Sequence, residues 1–273
     1  MLKDFAEVVR YRELLLNLVI RDLKVRYKNS VLGFFWSLAN PLVQVATITF
    51  IFKYVLHATE RDYSAYLLSA FLPWTFFQMS VLDASSSVLF HSNLVKKTYF
   101  PREILPASIV FSNLVHFTLA LGVFFVYRFT MGAQPQISWL LLPVVVFIQL
   151  LLNMGIAFFV SCLNVFYEDI KYMTTVLLNL LYFALPIMYF VEHAHNSKQI
   201  PEALVTWLYY VNPLSYVLIA YRKILLPPYN TATVHNIPLN YWYLALAAAT
   251  SLLIFLAGYA FFNSRKWYFA ERV

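Results

Sequence analysis

Ser92-Asn93-Leu94-Val95-Lys96-Lys97-Thr98-Tyr99-Phe100-Pro101-Arg102-Glu103-Ile104-Leu105-Pro106 is the one markedly polar interruption between two long apolar segments in the middle of the chain. It groups Lys96, Lys97, Arg102 and Glu103 around an aromatic pair, Tyr99 and Phe100, and a helix-stopping Pro101. A short basic loop between two membrane spans belongs on the cytoplasmic side. An ordinary loop is rich in Gly, Ser, Asn and Asp. This one has no glycine, and its pattern predicts a short amphipathic helix over 93–100, closed by the proline. Two readings of the loop stand side by side. It is a rigid handle for a soluble partner, or it only orients the protein by its charge.

Working outward, the flanks are too apolar for water. Of 273 residues, 61% are hydrophobic and 12% charged, with a mean hydropathy of +0.66. Soluble domains carry roughly 25% charged residues, so the sequence predicts an all-α protein that crosses a membrane several times. Aromatics make up 19% of the chain, more than interfacial belts require, which hints at an aromatic-lined path. The net charge of +7 does not point to nucleic acid, because Lys and Arg gather at expected membrane ends and form no continuous face.

Two domains are expected: an interfacial amphipathic helix over 1–30 and a single membrane domain over 31–273. The first 30 residues carry Lys3, Arg10, Arg12, Arg21, Lys24, Arg26 and Lys28, with Phe5, Val9, Leu16, Val19, Ile20, Leu23 and Tyr27 at near-helical spacing. They lack a cleavable signal pattern, and their densest apolar run, 14–20, is far shorter than the ~20 residues a span needs. Lipid binding and partner docking are both open for this helix. Six spans are expected, near 31–56, 66–90, 104–129, 139–166, 172–190 and 241–262, with kinks at Asn40-Pro41 and Pro73. Asn212-Pro213 divides the apolar stretch 203–226 into pieces too short to cross, read as re-entrant half-helices on the outer face. The distribution of Lys and Arg puts both termini in the cytoplasm.

Several chemistries find no support. The five glycines have no P-loop spacing and none precedes a lysine, so the sequence offers no phosphate cradle. No cofactor or metal is expected in this chain: a single cysteine, Cys162, rules out a cysteine cluster, and His193-Ala194-His195 has no third ligand in the sequence. Asp83 is the one carboxylate deep in a span, and it and mid-span His116 would serve an ion-coupled carrier. Helix packing, with nearby serines satisfying Asp83, is the other reading. Glu168 and Asp169 form a carboxylate pair at a span end. They suit docking or a helix terminus, and catalysis on a lipid-linked sugar is the alternative.

The chain resembles the permease subunits of ABC-2 type polysaccharide exporters, the family of O-antigen, teichoic-acid and capsule export. The likeness rests on ordered stretches: Arg21 to Ser30, Leu32-Gly33-Phe34-Phe35-Trp36-Ser37 with Asn40-Pro41, Leu72-Pro73-Trp74, Asn93 to Lys97 through Phe100-Pro101-Arg102-Glu103, Leu163 to Asp169, Pro186-Ile187-Met188-Tyr189 and Asn212-Pro213-Leu214. Each is weak alone, and the ordered set covers nearly the whole chain. Ala184-Leu185 stands where such permeases often have Ser or Thr before the proline. The resemblance implies a homodimer in a bacterial inner membrane, served by two copies of a separate ATPase that binds ATP and Mg. It implies that Asn93, Leu94, Val95, Lys96, Lys97, Thr98, Tyr99, Phe100, Pro101, Arg102 and Glu103 form a coupling helix, with Glu168 and Asp169 beside it. It further implies that a lipid-linked polysaccharide passes along the dimer interface. Phe34, Trp36, Trp74, Phe77, Tyr182 and Tyr189 are the candidate lining aromatics.

Overall fold

The computed structural model describes residues 10–27, 35–51, 54, 62–192, 201–228 and 237–272. Among these, every regular element is a helix. The principal ones are α1 (Arg12–Tyr27), α2 (Phe35–Phe50), α3 (Tyr63–Ser85), α4 (Ser92–Lys97), α5 (Ile104–Thr130), α6 (Leu142–Phe166), α7 (Asp169–Ala184), α8 (Pro213–Leu225) and α9 (Tyr241–Arg265).

Four helical stretches are long and apolar enough to cross a membrane: Tyr63–Ser85, Ile104–Thr130, Ile137–Phe166 and Tyr241–Tyr268. A fifth arises if Glu202–Val211 and Pro213–Leu225, bent by 76° at Asn212, count as one span. The break falls where the sequence places it. Pro213 has no N–H to continue a helix, and the Asn212 side chain accepts from the Leu214 N–H at 3.1 Å, capping the new one.

Of the two other expected spans, Phe35–Phe50 is described as helix α2. The other, α7, has 16 residues. At 1.5 Å per residue that is about 24 Å, short of the ~30 Å apolar core of a bilayer. The cause is local. The residue before a proline is pushed to extended backbone, and Leu185, before Pro186, sits at φ −85°, ψ 153°. The fifth segment thus ends at Ala184 and turns, where the sequence reading carries it to 190. Helix α2 runs unbroken through Pro41, and α3 through Pro73.

Helix α3 is the hub. Its flanks are α5, α6, α8 and part of α7, and 78% of its apolar window is buried. Inside it, Gln149 Nε2 donates to the Pro73 carbonyl at 2.7 Å. Helices α6 and α9 make the tightest contact, because Gly155 and Gly258 let their backbones touch. A Cβ on Gly155 would lie 2.6 Å from the Ile254 carbonyl oxygen, and one on Gly258 would strike the Gly155 carbonyl. Small residues allow this approach in lipid, where van der Waals contact drives helix association.

Helix α1 packs on α5 through Leu18 and Val19, flanked by partly buried Tyr11, Leu14 and Leu15. The expected apolar face is therefore rotated: Leu16 and Ile20 point outward. Their exposure follows from polar anchors that fix the helix's roll. Arg26 donates to Asp83 Oδ2 at 2.7 Å and to Asn113 Oδ1 at 3.0 Å, and Asn113 Nδ2 closes the triangle to Asp83 at 3.2 Å.

Candidate coupling surface

The 92–103 loop lies at one end of the bundle. It is helical over Ser92–Lys97, extended at Thr98, and irregular from there to Pro101, with a bend at Phe100. The helix thus ends three residues before the sequence predicts. Its first turn rests on His91, whose Nδ1 meets the Ser87 carbonyl at 2.7 Å and whose Nε2 contacts Arg21 of α1.

The loop has two faces. Asn93, Leu94, Lys96, Lys97, Thr98 and Tyr99 are exposed, Tyr99 at 73%. Val95, Phe100, Pro101 and Glu103 are buried, and Arg102 is half-buried. Phe100 packs inside the chain with Leu18, Val88, Ile104 and Leu105. The aromatic pair is therefore split: Phe100 is 8% exposed, and only Tyr99 is displayed to a partner.

The loop's base is locked to the carboxy-terminal segment. Glu103 is 1% exposed and receives Lys266 Nζ at 2.8 Å. Arg102 donates to the Lys266 carbonyl. Burial lowers the Arg102 pKa from its usual value, and the neighbouring Glu103 charge opposes that. After Lys266, Phe269 inserts its fully buried ring between Phe262, at 5.1 Å, and Phe166, at 6.1 Å. Phe166 ends α6, immediately before the turn that carries Glu168 and Asp169. Both carboxylates are exposed at the start of α7, where a helix dipole favours negative charge. Buried Asn164 shapes that turn by accepting from the Lys171 N–H at 3.1 Å. The two expected partner-facing loops therefore share one brace, residues 266–272.

The aromatic candidates separate. Trp74 is 1% exposed and Phe77 2%, enclosed in the core around α3. They offer no surface to a path between protomers, which corrects their assignment as lining residues. Tyr182 retains some exposure and touches Trp74 at 5.8 Å between ring centroids. Tyr189 is half-buried at the opposite end of the bundle, its hydroxyl 3.0 Å from that of Tyr209. Phe34 lies outside the described residues, as do His193 and His195, and so does the Trp36 side chain. Among the described residues, no cluster of His, Cys, Asp or Glu could hold a metal.

Sequence reasoning missed three charged positions. Arg26 rather than the neighbouring serines satisfies Asp83; the signal was an arginine on an adjacent amphipathic helix. Lys266 gave no signal, because a basic residue after the last span reads as a topology marker. Arg222 is 4% exposed, and an arginine followed by a lysine near the end of an apolar stretch gives no sign that it is enclosed.

The sequence profile of a family described as "ABC-2 type transporter" matches residues 13–226. The chain is 32% identical over 260 residues to an O-antigen export system permease protein RfbA of Klebsiella pneumoniae, covering 95% of this chain and 94% of that one. It is 30% identical to the protein of that name from Myxococcus xanthus over the full length of both. It is 26% identical to the polysialic acid transport protein KpsM of Escherichia coli, covering 89% and 90%.

Proposed function

The chain belongs to the ABC-2 type transporter membrane family, and from that premise we propose that it is the membrane subunit of an ATP-driven exporter of a lipid-linked polysaccharide of the O-antigen class. The observation that carries the reading is the length of the likeness. Permeases named for O-antigen export align over 95–100% of the chain, and the polysialic acid transport protein over 89%. In this reading the protein is a homodimer in the bacterial inner membrane with both termini cytoplasmic. Six segments enter the bilayer, α7 being a short one, and Glu202–Leu225 dips into the outer leaflet. Two separate ATPase subunits hold ATP and Mg. They bear on the exposed face of 93–99 and on Glu168 and Asp169, and the polysaccharide moves along the dimer interface. The fold supports such coupling, because the loop's inner face is fixed while its outer face is free to be gripped.

An ion-coupled carrier is less well served, since Asp83 is held in an ion pair with Arg26. The test is reconstitution with and without the neighbouring ATPase, on lipid-linked glycans. Glycan translocation and ATP turnover that require both polypeptides are expected. Gradient-driven movement by this chain alone would overturn the reading.

A further inference from the structure

At the end of the bundle opposite the loop, α3, α8 and the turn after α7 enclose a cavity of about 190 Å³. Its wall brings together Tyr66, Phe190, Glu192, Arg222 and Lys223, with Leu239 among its apolar residues. An apolar cavity of about 150 Å³ takes up benzene, so this one has room for a single six-membered ring.

The polar groups are built into the fold. Glu192 is 5% exposed and Arg222 4%. Arg222 donates to the Tyr66 hydroxyl at 2.8 Å, to the Tyr189 carbonyl at 3.3 Å and to the Ile187 carbonyl, and its guanidinium carbon lies 3.8 Å from the Tyr66 ring centre. Tyr66 and Phe190 stack with centroids 3.8 Å apart. Glu192 Oε1 pairs with Lys223. Two groups remain without a hydrogen-bond partner among the described residues: Glu192 Oε2, an acceptor, and Arg222 Nε, a donor. A buried polar atom without a partner carries a substantial cost, and a ligand that supplied the missing bonds would remove it.

The chemistry of the two orphans selects the ligand. A free phosphate or carboxylate would complete Arg222 and be repelled by the buried Glu192 oxygen. A cation would meet Arg222 and Lys223. A neutral polyol satisfies both, because each hydroxyl donates and accepts. We propose that this cavity is a binding subsite for one neutral pyranose ring, at the end of the permease where the polysaccharide leaves. The assignment of the sugar to an exported chain rests on the function proposed above; the binding itself does not.

The experiment uses the purified full-length permease in lipid nanodiscs. The probes are a neutral oligosaccharide cut from the polysaccharide of the source strain and inorganic phosphate, followed by saturation-transfer NMR. Glu192→Gln removes the anionic acceptor at constant size, and Leu239→Trp fills the cavity from its rim without touching a charge. Saturable transfer to the neutral sugar is expected, weakened at least tenfold by each variant and not competed by phosphate. Equal binding in wild type and both variants would overturn the proposal, as would displacement by phosphate or absence of transfer in wild type. Export is measured separately, in cells lacking the native permease. Wild-type export without sugar transfer refutes the subsite and leaves the proposed function standing. Sugar binding without export does the reverse.

Discussion

Lys266→Met tests whether the carboxy-terminal brace holds the loop. The bridge to Glu103 spans 2.8 Å, with side chains 9% and 2% exposed. Glu103 Oε2 already has no hydrogen-bond partner among the described residues. Removing the ammonium leaves a carboxylate with almost no water access. Breaking one side of such a buried pair costs about 3–5 kcal/mol, or roughly two to three and a half decades in an equilibrium constant. Replacing both partners with apolar groups of similar volume is often close to neutral. The double variant Glu103→Leu, Lys266→Met should therefore recover most of the loss, a coupling that a double-mutant cycle isolates. The assay is thermal unfolding of the purified protein in one detergent, together with retention of the ATPase on co-purification. The single variant should unfold at a clearly lower temperature and shed the ATPase, and the double variant should regain both. A single variant as stable as wild type would show that Glu103 is hydrated and the bridge superficial, and the brace argument would fail.

Other outcomes follow from the same geometry. Tyr99→Ala should leave folding intact, since the ring is 73% exposed, but should weaken ATPase binding by about 2 kcal/mol if Tyr99 anchors the partner; unchanged affinity in a pull-down titration would remove Tyr99 from the interface. Phe100→Ala should instead cost about 3–5 kcal/mol of stability through the cavity left in the core, read as lower yield and unfolding temperature. Gly258→Leu should separate α6 from α9 because its side chain would enter the Gly155 backbone; an unchanged unfolding temperature in detergent would contradict that contact. Arg26→Gln should loosen α1 from α3 and α5, raising protease cleavage within 12–27, and unaltered cleavage would mean that the Asp83 contact contributes little. Purified alone, the chain should hydrolyse no ATP, and turnover without a second polypeptide would refute the division of labour.

Much of this architecture was legible because membrane spans announce themselves by composition. The Asn212-Pro213 break was readable for a covalent reason, as proline lacks the donor a helix needs. Pro73 looked like the same signal but does not end the helix, which runs unbroken through it, packed by α5, α6 and α8. The roll of α1 was misread because periodicity weighs apolar residues alone. Arg26, Asp83 and Asn113 sit 57 and 87 residues apart along the chain, and no local pattern reports that they meet. Tyr99 and Phe100 looked equivalent as neighbours, and only the packing of Phe100 into the cluster with Leu18, Ile104 and Leu105 separates an inward ring from an outward one.

The brace also changes what a push on the loop can do. A loop joined only to its flanking helices would move α3 and α5. Here Glu103 and Arg102 hold Lys266 at the end of α9, and Phe269 beyond it rests on Phe166 at the end of α6. Helices α6 and α9 are themselves in backbone contact at Gly155 and Gly258, so they cannot shear freely. A displacement of Tyr99 and its neighbours must then move α3, α5, α6 and α9 together or break the buried bridge. Helix α7 is the exception. It is buried only at Thr174 and Leu178, with Ile170, Leu181 and Tyr182 partly buried against the core, while Met173, Val176, Leu177, Leu180 and Phe183 face outward. A displacement of the block is therefore transmitted to α7 through one narrow face and not through the backbone contact and buried bridge that join the other helices.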